Sequence, residues 1–395
     1  MAYINFKEEK SVAIKELEKR RNNNENISIK VTSDNSKIDL DKWEKYSFKT
    51  ISDRTINSSH VEGEDKFLEI REKNIVCSHI IRCKLYNIKF IECNFIGCIF
   101  EECDFGGGGV VFENCTFIQE EIKKSPSLNK KDNFSCDFIR CKIYGRFLNS
   151  NLSFAIFEEC LFKDFSFELT DITSVIIISS EFNKINIADS DLSNIKILCS
   201  YIIDLEFNDK YRSKLDEKSF IDKVKLRDKT KNEYEGIYKV YENIANKFKE
   251  NNLNNNFGEY YYLCKSTERS SLKILPKASS YIYWGTSGYG ERISYPLISS
   301  LIIVLIFAFL YLVFGMDIEG ETISYITSSG VPKGLAQFIA QLNQSLNLSF
   351  GMFIGTGVTS STPGLGAYIL ADLEMIIGVT MIGIGIGTVT RKLVR

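Results

Sequence analysis

The chain has 395 residues, of which 49 are basic, 51 are acidic and only two are histidine. A net charge of −2 gives no electrostatic footprint for bulk nucleic-acid binding, and two histidines leave little material for histidine-based acid–base or metal chemistry. The charges are unevenly spread, because only nine of the 100 follow Pro296, while 13 of the 25 glycines lie from Gly315 onward. The sequence therefore predicts a polar region followed by an almost uncharged final quarter.

Residues 1–74 form a polar region in which we predict a helix over Phe6–Arg21 and an Asn-rich hinge at Asn22–Asn26. The segment from Met1 to Arg21 has no apolar core of a secretory signal, so we expect a reducing compartment with free cysteines. We assign this region no function.

The middle of the chain has a period of five residues. Such a period matches neither the helix at 3.6 nor the strand at 2.0, so it predicts a coil that turns a corner every five residues. The apolar positions in register are Ile80, Leu85, Phe90, Phe95, Phe100 and Phe105, then Leu152, Phe157, Phe162, Phe167, Ile172, Ile177, Phe182, Ile187, Leu192, Ile197, Ile202 and Phe207.

Over Ile75–Phe207 this pattern resembles the pentapeptide-repeat family, whose repeats wind a right-handed quadrilateral β-helix. The resemblance implies a β-solenoid in which residue i stacks under i+20, with a rise of about 4.8 Å per coil. We place the β-helix at residues 75–209, with a charged loop inserted at 118–133. The glycines at Gly106–Gly109 predict a bulge at a corner rather than a phosphate-binding loop, because no helix with a lysine follows them.

Eight of the eleven cysteines precede a central apolar residue by two positions. Buried cysteine behaves as a small hydrophobe, so we interpret these eight as core filling, with a redox or metal role as the alternative. The chain has no CxxC pair, and we predict no metal site and no cofactor. The eight are Cys83, Cys93, Cys98, Cys103, Cys115, Cys136, Cys141 and Cys160.

Some pentapeptide solenoids imitate DNA and bind topoisomerases through a strongly acidic surface. Here the repeat region carries 19 acidic and 13 basic residues, which is only mildly acidic. DNA mimicry therefore stays a minor alternative, and we predict no nucleic-acid partner.

Residues 216–275 predict a cytoplasmic helical hairpin, with helices over Ser219–Glu250 and Phe257–Lys273 and a turn at Asn251–Asn256. The pair resembles the hairpin that often follows pentapeptide repeats in membrane-linked relatives. We interpret its tyrosines as packing between helices rather than as a stack for a nucleotide. The matching residues are Tyr238, Tyr241, Gly258, Glu259, Tyr260, Tyr261 and Tyr262.

Two segments near the end predict transmembrane helices, at residues 293–316 and 365–390. The first is free of charge over all 24 residues, and about 20 apolar residues cross a bilayer. Aromatic residues before it predict an interfacial elbow at 276–292. Basic residues lie at the outer ends of the pair and acidic ones between the spans. The positive-inside rule therefore predicts a two-pass plasma-membrane protein with both termini in the cytoplasm.

Residues 335–363, between these spans, contain an uncharged helix-like stretch, QFIAQLNQSLNLSFGMF, and then the loop IGTGVTSSTPG. This order resembles the pore module of two-transmembrane potassium channels, which implies a pore helix, a re-entrant filter loop and a homotetramer around one pore. Only one family glycine is kept, at Gly357, so we expect weak selectivity among monovalent cations. The filter positions implied are Gly355, Thr356, Gly357, Val358, Thr359 and Ser360.

A second segment, Thr286–Gly290, also resembles a filter sequence. It precedes the first span and is followed by Glu291 and Arg292, so no second helix could frame it. We interpret this segment as part of the elbow.

Three residues of the second span are candidates for a role in gating. Gly378 and Gly383 allow close helix packing, and Gly378 alternatively supplies a hinge. Glu374 is costly inside a span unless it is partnered. It either hydrogen-bonds the pore helix behind the filter or serves as a protonatable gate.

These features together predict a bacterial homotetrameric ion channel in a lipid bilayer, weakly selective for cations, with a cytoplasmic pentapeptide-repeat regulatory domain of unknown ligand. The alternative is a membrane-anchored pentapeptide-repeat scaffold that binds a protein partner. The sequence has no nucleophile–base pair, metal set or phosphate loop, so we predict neither an enzyme nor any catalytic residue.

Overall fold

The chain folds into two compact units, Met1–Ser271 and Leu272–Arg395. A β-solenoid forms most of the first unit, and helices form most of the second. The structure, a computed structural model, describes residues 4–33, 46–57, 67–106, 108–119, 134–318, 320–327, 329–356 and 360–394.

The first unit contains a parallel β-solenoid of about seven turns. Phe162 pairs with Phe182 and Ile177 pairs with Ile197, which confirms the stacking of positions twenty residues apart. The strands are β1 Thr50–Ser52, β2 Thr55–Ile56, β3 Leu68–Arg71, β4 Asn74–Val76, β5 His79–Ile81, β6 Lys84–Leu85, β7 Ile88–Ile91, β8 Asn94–Ile96, β9 Ile99–Glu101, β10 Val110–Glu113, β11 Asp137–Ile139, β12 Lys142–Leu148, β13 Ile156–Glu158, β14 Leu161–Glu168, β15 Ile176–Ile178, β16 Glu181–Ala188, β17 Lys196–Leu198, β18 Tyr201–Phe207 and β19 Phe220–Ile221.

The solenoid turns its corners at residues with left-handed backbone angles. Arg82, Asn87 and Glu92 have φ angles of 50°, 50° and 56°, and such angles recur along the coil. A side chain disfavours this region, so the hydrogen bonds to the next coil must hold it there. The amide of Arg82, for example, donates to the carbonyl oxygen of Glu101 at 2.8 Å.

The solenoid core consists of stacked phenylalanine rings and buried thiols. Phe100, Phe138 and Phe157 stack with ring centroids 4.8 and 4.6 Å apart. All eight predicted core cysteines are buried and free, which confirms their interpretation as core residues. Their thiols contact backbone carbonyls, as in the 3.3 Å contact from Cys160 Sγ to the Phe138 oxygen.

The solenoid extends beyond the limits drawn from the periodicity. Strand β1, which lies before residue 75, pairs with β5. Strand β19, which lies after residue 209, pairs with β17. The apolar period is weak there, because the coil at Leu68–Arg71 is largely exposed. Most of the predicted loop insertion, residues 120–133, lies outside the described residues.

Helix α1, Phe6–Ser33, packs along one face of the solenoid, and the predicted hinge at Asn22–Asn26 is wrong. The helix continues because the amide of Asn24 is buried and donates to the Asp137 carboxylate at 3.2 Å. Arg20 donates to the carbonyl oxygen of Ser174, and Arg21 pairs with Glu158. Tertiary contacts here override the low helix propensity of asparagine.

Two helices, α2 Lys231–Glu250 and α3 Asn254–Ser271, close the end of the solenoid. The prediction that helix starts at Ser219 is wrong, because β19 intervenes and Thr230 caps α2. The carboxylate of Glu233 accepts backbone N–H bonds from 227–229 and so holds the preceding segment in a loop. Burial opposes ionisation, yet these bonds keep the pKa of Glu233 below its ordinary value.

The tyrosines of this hairpin pack between the helices and the last coil, as predicted. The Tyr260 hydroxyl accepts from the Ile221 amide and donates to its carbonyl oxygen, both at 2.8 Å. The Tyr241 hydroxyl accepts from the Val224 amide at 2.8 Å. These bonds satisfy backbone N–H and C=O groups that the last coil would otherwise leave unpaired at its open edge.

The second unit contains four helices in its described residues. Helices α5 and α7 are long and apolar enough to cross a membrane, and most of their surface is exposed. Among the exposed side chains are Leu297 and Leu301 of the first and Ile369 and Ile376 of the second. The helices are α4 Ile274–Ser287, α5 Ser294–Phe314, α6 Leu335–Ile354 and α7 Tyr368–Val394, the last preceded by a 3₁₀ turn at Leu365–Ala367.

A small antiparallel sheet, which the sequence did not predict, joins the segments between these helices. Its strands are β20 Met316–Ile318, β21 Glu321–Ile323 and β22 Ser361–Pro363, with β20 in the centre. Residues that follow α5 thereby pair with residues that precede α7.

Candidate functional site

A buried carboxylate joins the three helices α5, α6 and α7. The Tyr311 hydroxyl on α5 donates to Glu374 Oε2 on α7 at 2.7 Å. The Ser349 hydroxyl on α6 contacts Glu374 Oε1 and lies 2.9 Å from the carbonyl oxygen of Val304 on α5. Glu374, Ser349 and Tyr311 have no exposed surface. Helix α6 is therefore fastened to both apolar helices at one point.

The chain reverses direction after α6. At the end of α6 the backbone of Phe353 contacts Gly378, near the middle of α7. Six residues after the end of α6 at Ile354, the Ser360 hydroxyl donates to the side chain of Gln344 at 2.9 Å. Ser360, the first described residue after Thr356, therefore lies beside the middle of α6.

Two glycines allow the backbone after β22 to approach the backbone after α5 closely. The Gly364 amide donates to the carbonyl oxygen of Gly315 at 3.0 Å. A Cβ at Gly364 would lie 3.1 Å from that same carbonyl group. The residue that follows β22 is therefore held against Gly315, which immediately follows α5.

The structure describes three of the six predicted filter residues. Gly355 ends α6 with a left-handed φ of 77°, which favours glycine. Thr356 donates its amide to the Gly351 carbonyl oxygen at 3.1 Å, and Ser360 is exposed. The remaining three, Gly357, Val358 and Thr359, lie outside the described residues.

The two candidate glycines of α7 have different surroundings. A Cβ at Gly378 would lie 2.0 Å from the Phe353 carbonyl oxygen, so α6 and α7 touch backbone to backbone there. A Cβ at Gly383 would meet nothing within 4 Å. The contact at Gly378 agrees with the close-packing interpretation, and the hinge stays a prediction.

Helix α6 presents a stripe of exposed residues that includes two amides. Asn343 and Asn347 are exposed one turn apart, and Phe350 and Ile354 continue the stripe. Within this unit, the opposite side of α6 carries the buried Ser349. Uncharged amides can both donate and accept, so this stripe is suited to contact with protein or water rather than with acyl chains.

The filter-like segment Thr286–Gly290 comprises the last two residues of α4 and the turn that follows them. Gly288, Tyr289 and Gly290 all have positive φ, and the Gly288 amide donates to the Trp284 carbonyl oxygen at 2.9 Å. This is the left-handed cap with which many helices end.

The sequence interpretation missed the partners of Glu374. It placed Glu374 against the pore helix as one alternative but identified neither Ser349 nor Tyr311, although a hydroxyl residue facing a carboxylate inside a span is a usable signal. Among the described residues, no group of three or more His, Cys, Asp or Glu side chains is arranged to hold a metal ion.

Residues 80–120 match the family model described as pentapeptide repeats (9 copies). Together with the strand register, this match supports the identification of the five-residue period as pentapeptide repeats. None of the curated proteins compared with the sequence matches it.

Solved structures of QnrB1, described as a plasmid-mediated fluoroquinolone resistance protein, are similar to part of the chain. One trypsin-treated form is 13% identical and has a TM-score of 0.20, covering 47% of this chain and 93% of that one. A second is 15% identical with a TM-score of 0.21, covering 45% and 90%. Likenesses at these identities and TM-scores say nothing about what this chain binds.

Proposed function

We propose that this protein is a homotetrameric ion channel of the plasma membrane, weakly selective for monovalent cations and regulated by its pentapeptide-repeat solenoid. Helices α5 and α7 would span the bilayer, with both termini in the cytoplasm. Residues 355–360 of four copies would surround the ion path.

One observation carries this proposal: α6 ends against the middle of α7, and Ser360, six residues after the end of α6, lies back beside Gln344 of that helix. Non-helical backbone at membrane depth is tolerated only where it faces protein or water. Such a loop, repeated around an axis, can replace an ion's hydration shell with oxygen ligands. A membrane anchor needs no such reversal between its two spans.

The exposed amides of α6 support assembly. If α5 and α7 span a bilayer, Asn343 and Asn347 lie beside them on a surface that acyl chains would solvate poorly. Neighbouring copies or an axial water path would cover this stripe. A single copy has no way to enclose a path, so the channel proposal requires several.

The test is electrical recording from the full-length protein in planar bilayers under potassium, sodium and chloride gradients. We expect cation currents that distinguish weakly between potassium and sodium. Gly357→Ala should change or abolish them, whereas Gly285→Ala should not, because a Cβ there meets nothing within 4 Å. Silence of the assembled protein across pH, voltage and membrane tension would contradict the proposal.

The symmetry of the detergent-solubilised particle distinguishes the channel proposal from the scaffold alternative. A four-fold particle in detergent with water along its axis supports the channel. A monomer or dimer that conducts no ions would support a membrane-anchored scaffold instead.

A further inference from the structure

Glu291 is a second buried carboxylate of the second unit. It lies beside the C-terminal end of α7. Its side chain is 1% exposed. Glu291 Oε1 lies 3.1 Å from Arg391 Nη2, and Oε2 lies 3.2 Å from Lys392 Nζ. One carboxylate therefore bridges two consecutive cations in the last turn of α7.

The local backbone directs Glu291 toward α7. The turn at Gly288–Gly290 is held by three successive residues with positive φ and by the Gly290 amide, which donates to the Ser287 carbonyl oxygen at 3.0 Å. A Cβ at Gly290 would lie 2.9 Å from Arg391 Nη1, so the guanidinium passes directly over this glycine. The turn thus provides both the carboxylate and the space for its partner.

The bridge joins the last turn of α7 to the segment between α4 and α5. Lys392 is buried with Glu291, and Arg391 is partly exposed. Removing one partner of a buried ion pair is costly because the other charge is left buried without compensation.

We propose that Glu291 is a positioning residue that fixes the cytoplasmic end of α7 against the turn between α4 and α5. This inference rests on the proposed function and adds to it that α7 lines the ion path while α5 lies outside it. The bridge then holds this end of α7 away from the axis of the tetramer. Losing it lets the four ends approach the axis and narrows the path.

The test compares the wild type with Glu291→Gln in single-channel recordings of the full-length protein. We expect open probability to fall about tenfold, with unitary conductance unchanged, because α6 ends against Gly378, 13 residues before Arg391 on α7. Lys392→Gln should lower open probability in the same direction. The double variant should be no worse than Glu291→Gln alone, because both changes remove one interaction.

Glu217→Gln is the matched control, because Glu217 is an exposed carboxylate in the first unit. It should leave open probability unchanged. An open probability of Glu291→Gln within twofold of wild type, or a changed unitary conductance, would overturn the inference.

Hydrogen exchange in lipid nanodiscs keeps the inference testable without currents. In Glu291→Gln, amides of residues 384–394 should exchange at least tenfold faster, while those of 340–354 should not change. If the wild type is silent but this local change occurs, the channel proposal fails and the bridge stands. If the wild type conducts and exchange is unaltered, the bridge is wrong and the channel stands.

Discussion

The Ser349 hydroxyl on α6 contacts the carboxylate of Glu374 on α7, and neither side chain reaches the surface. Tyr311 supplies the second hydroxyl from α5. A carboxylate buried in this way is tolerated only because hydroxyl donors meet its oxygens. The arrangement makes Glu374 the residue through which α6, a helix with several amide and hydroxyl side chains, is held between two apolar helices.

Replacing Glu374 with glutamine should destabilise the second unit by about 2–3 kcal/mol, because an amide places donors against hydroxyls that donate to the carboxylate. Thermal unfolding of the detergent-solubilised protein, followed by near-ultraviolet circular dichroism, measures the change. Asp372→Asn is the matched control, since Asp372 is exposed on the same helix. Equal unfolding temperatures for the two variants would refute a structural role for Glu374.

Gly378→Ala should separate α6 from α7, because the new Cβ would lie 2.0 Å from the Phe353 carbonyl oxygen. Overpacking of this kind costs about 1–3 kcal/mol, and here the obstacle is backbone. We expect a lower yield of assembled particles by size-exclusion chromatography. Gly383→Ala, made in open space on the same helix, should assemble normally. Normal assembly of both variants would favour a hinge at Gly378 over close packing.

Tyr260→Phe should destabilise the first unit by about 2 kcal/mol. The hydroxyl makes two hydrogen bonds to Ile221 in a buried site, and its loss leaves both backbone groups unsatisfied. Urea unfolding followed by far-ultraviolet circular dichroism tests this. Tyr211→Phe is the control, because Tyr211 is 87% exposed. A Tyr260→Phe midpoint equal to that of the control would show that the hairpin does not close the solenoid through this hydroxyl.

The solenoid was predictable because its signal is local: an apolar residue every five positions is visible without knowing what it contacts. The same reasoning stopped at residue 75, since the coils before it expose residues such as Leu68. The hinge at Asn22–Asn26 was predicted from propensity alone. It failed because Asn24 meets Asp137, 113 residues away, and no local pattern reports that contact.

The candidate site was predictable in outline and not in its contacts. The order of helix, short helix, loop and helix follows from composition. The bonds from Glu374 to residues 25 and 63 positions earlier depend on how three helices pack, which spacing does not determine. The sheet that joins β20 to β22 was missed because its strands have only three residues each.

The docking of α1 on the solenoid should weaken as pH rises. Burial raises the pKa of Asp137 to about 7, although Arg21, Asn24 and Arg20 favour the charged form. The folded state therefore holds a proton that the unfolded state releases near pH 4, where free aspartate titrates. Between about pH 4 and pH 7 the folded state binds more protons than the unfolded state, so stability falls across this window as pH increases.

Asp137→Asn should remove this pH dependence, because an amide does not titrate and can still accept a hydrogen bond from Asn24. We expect the variant to match the wild type near pH 4 and to exceed it in stability at pH 8. Limited proteolysis of α1 and thermal unfolding at both pH values measure the difference. Asp204→Asn serves as the control, since Asp204 is exposed at a corner of the solenoid. A wild type whose stability rises from pH 4 to pH 7, with Asp137→Asn following it in parallel, would show that Asp137 is ionised in the folded protein.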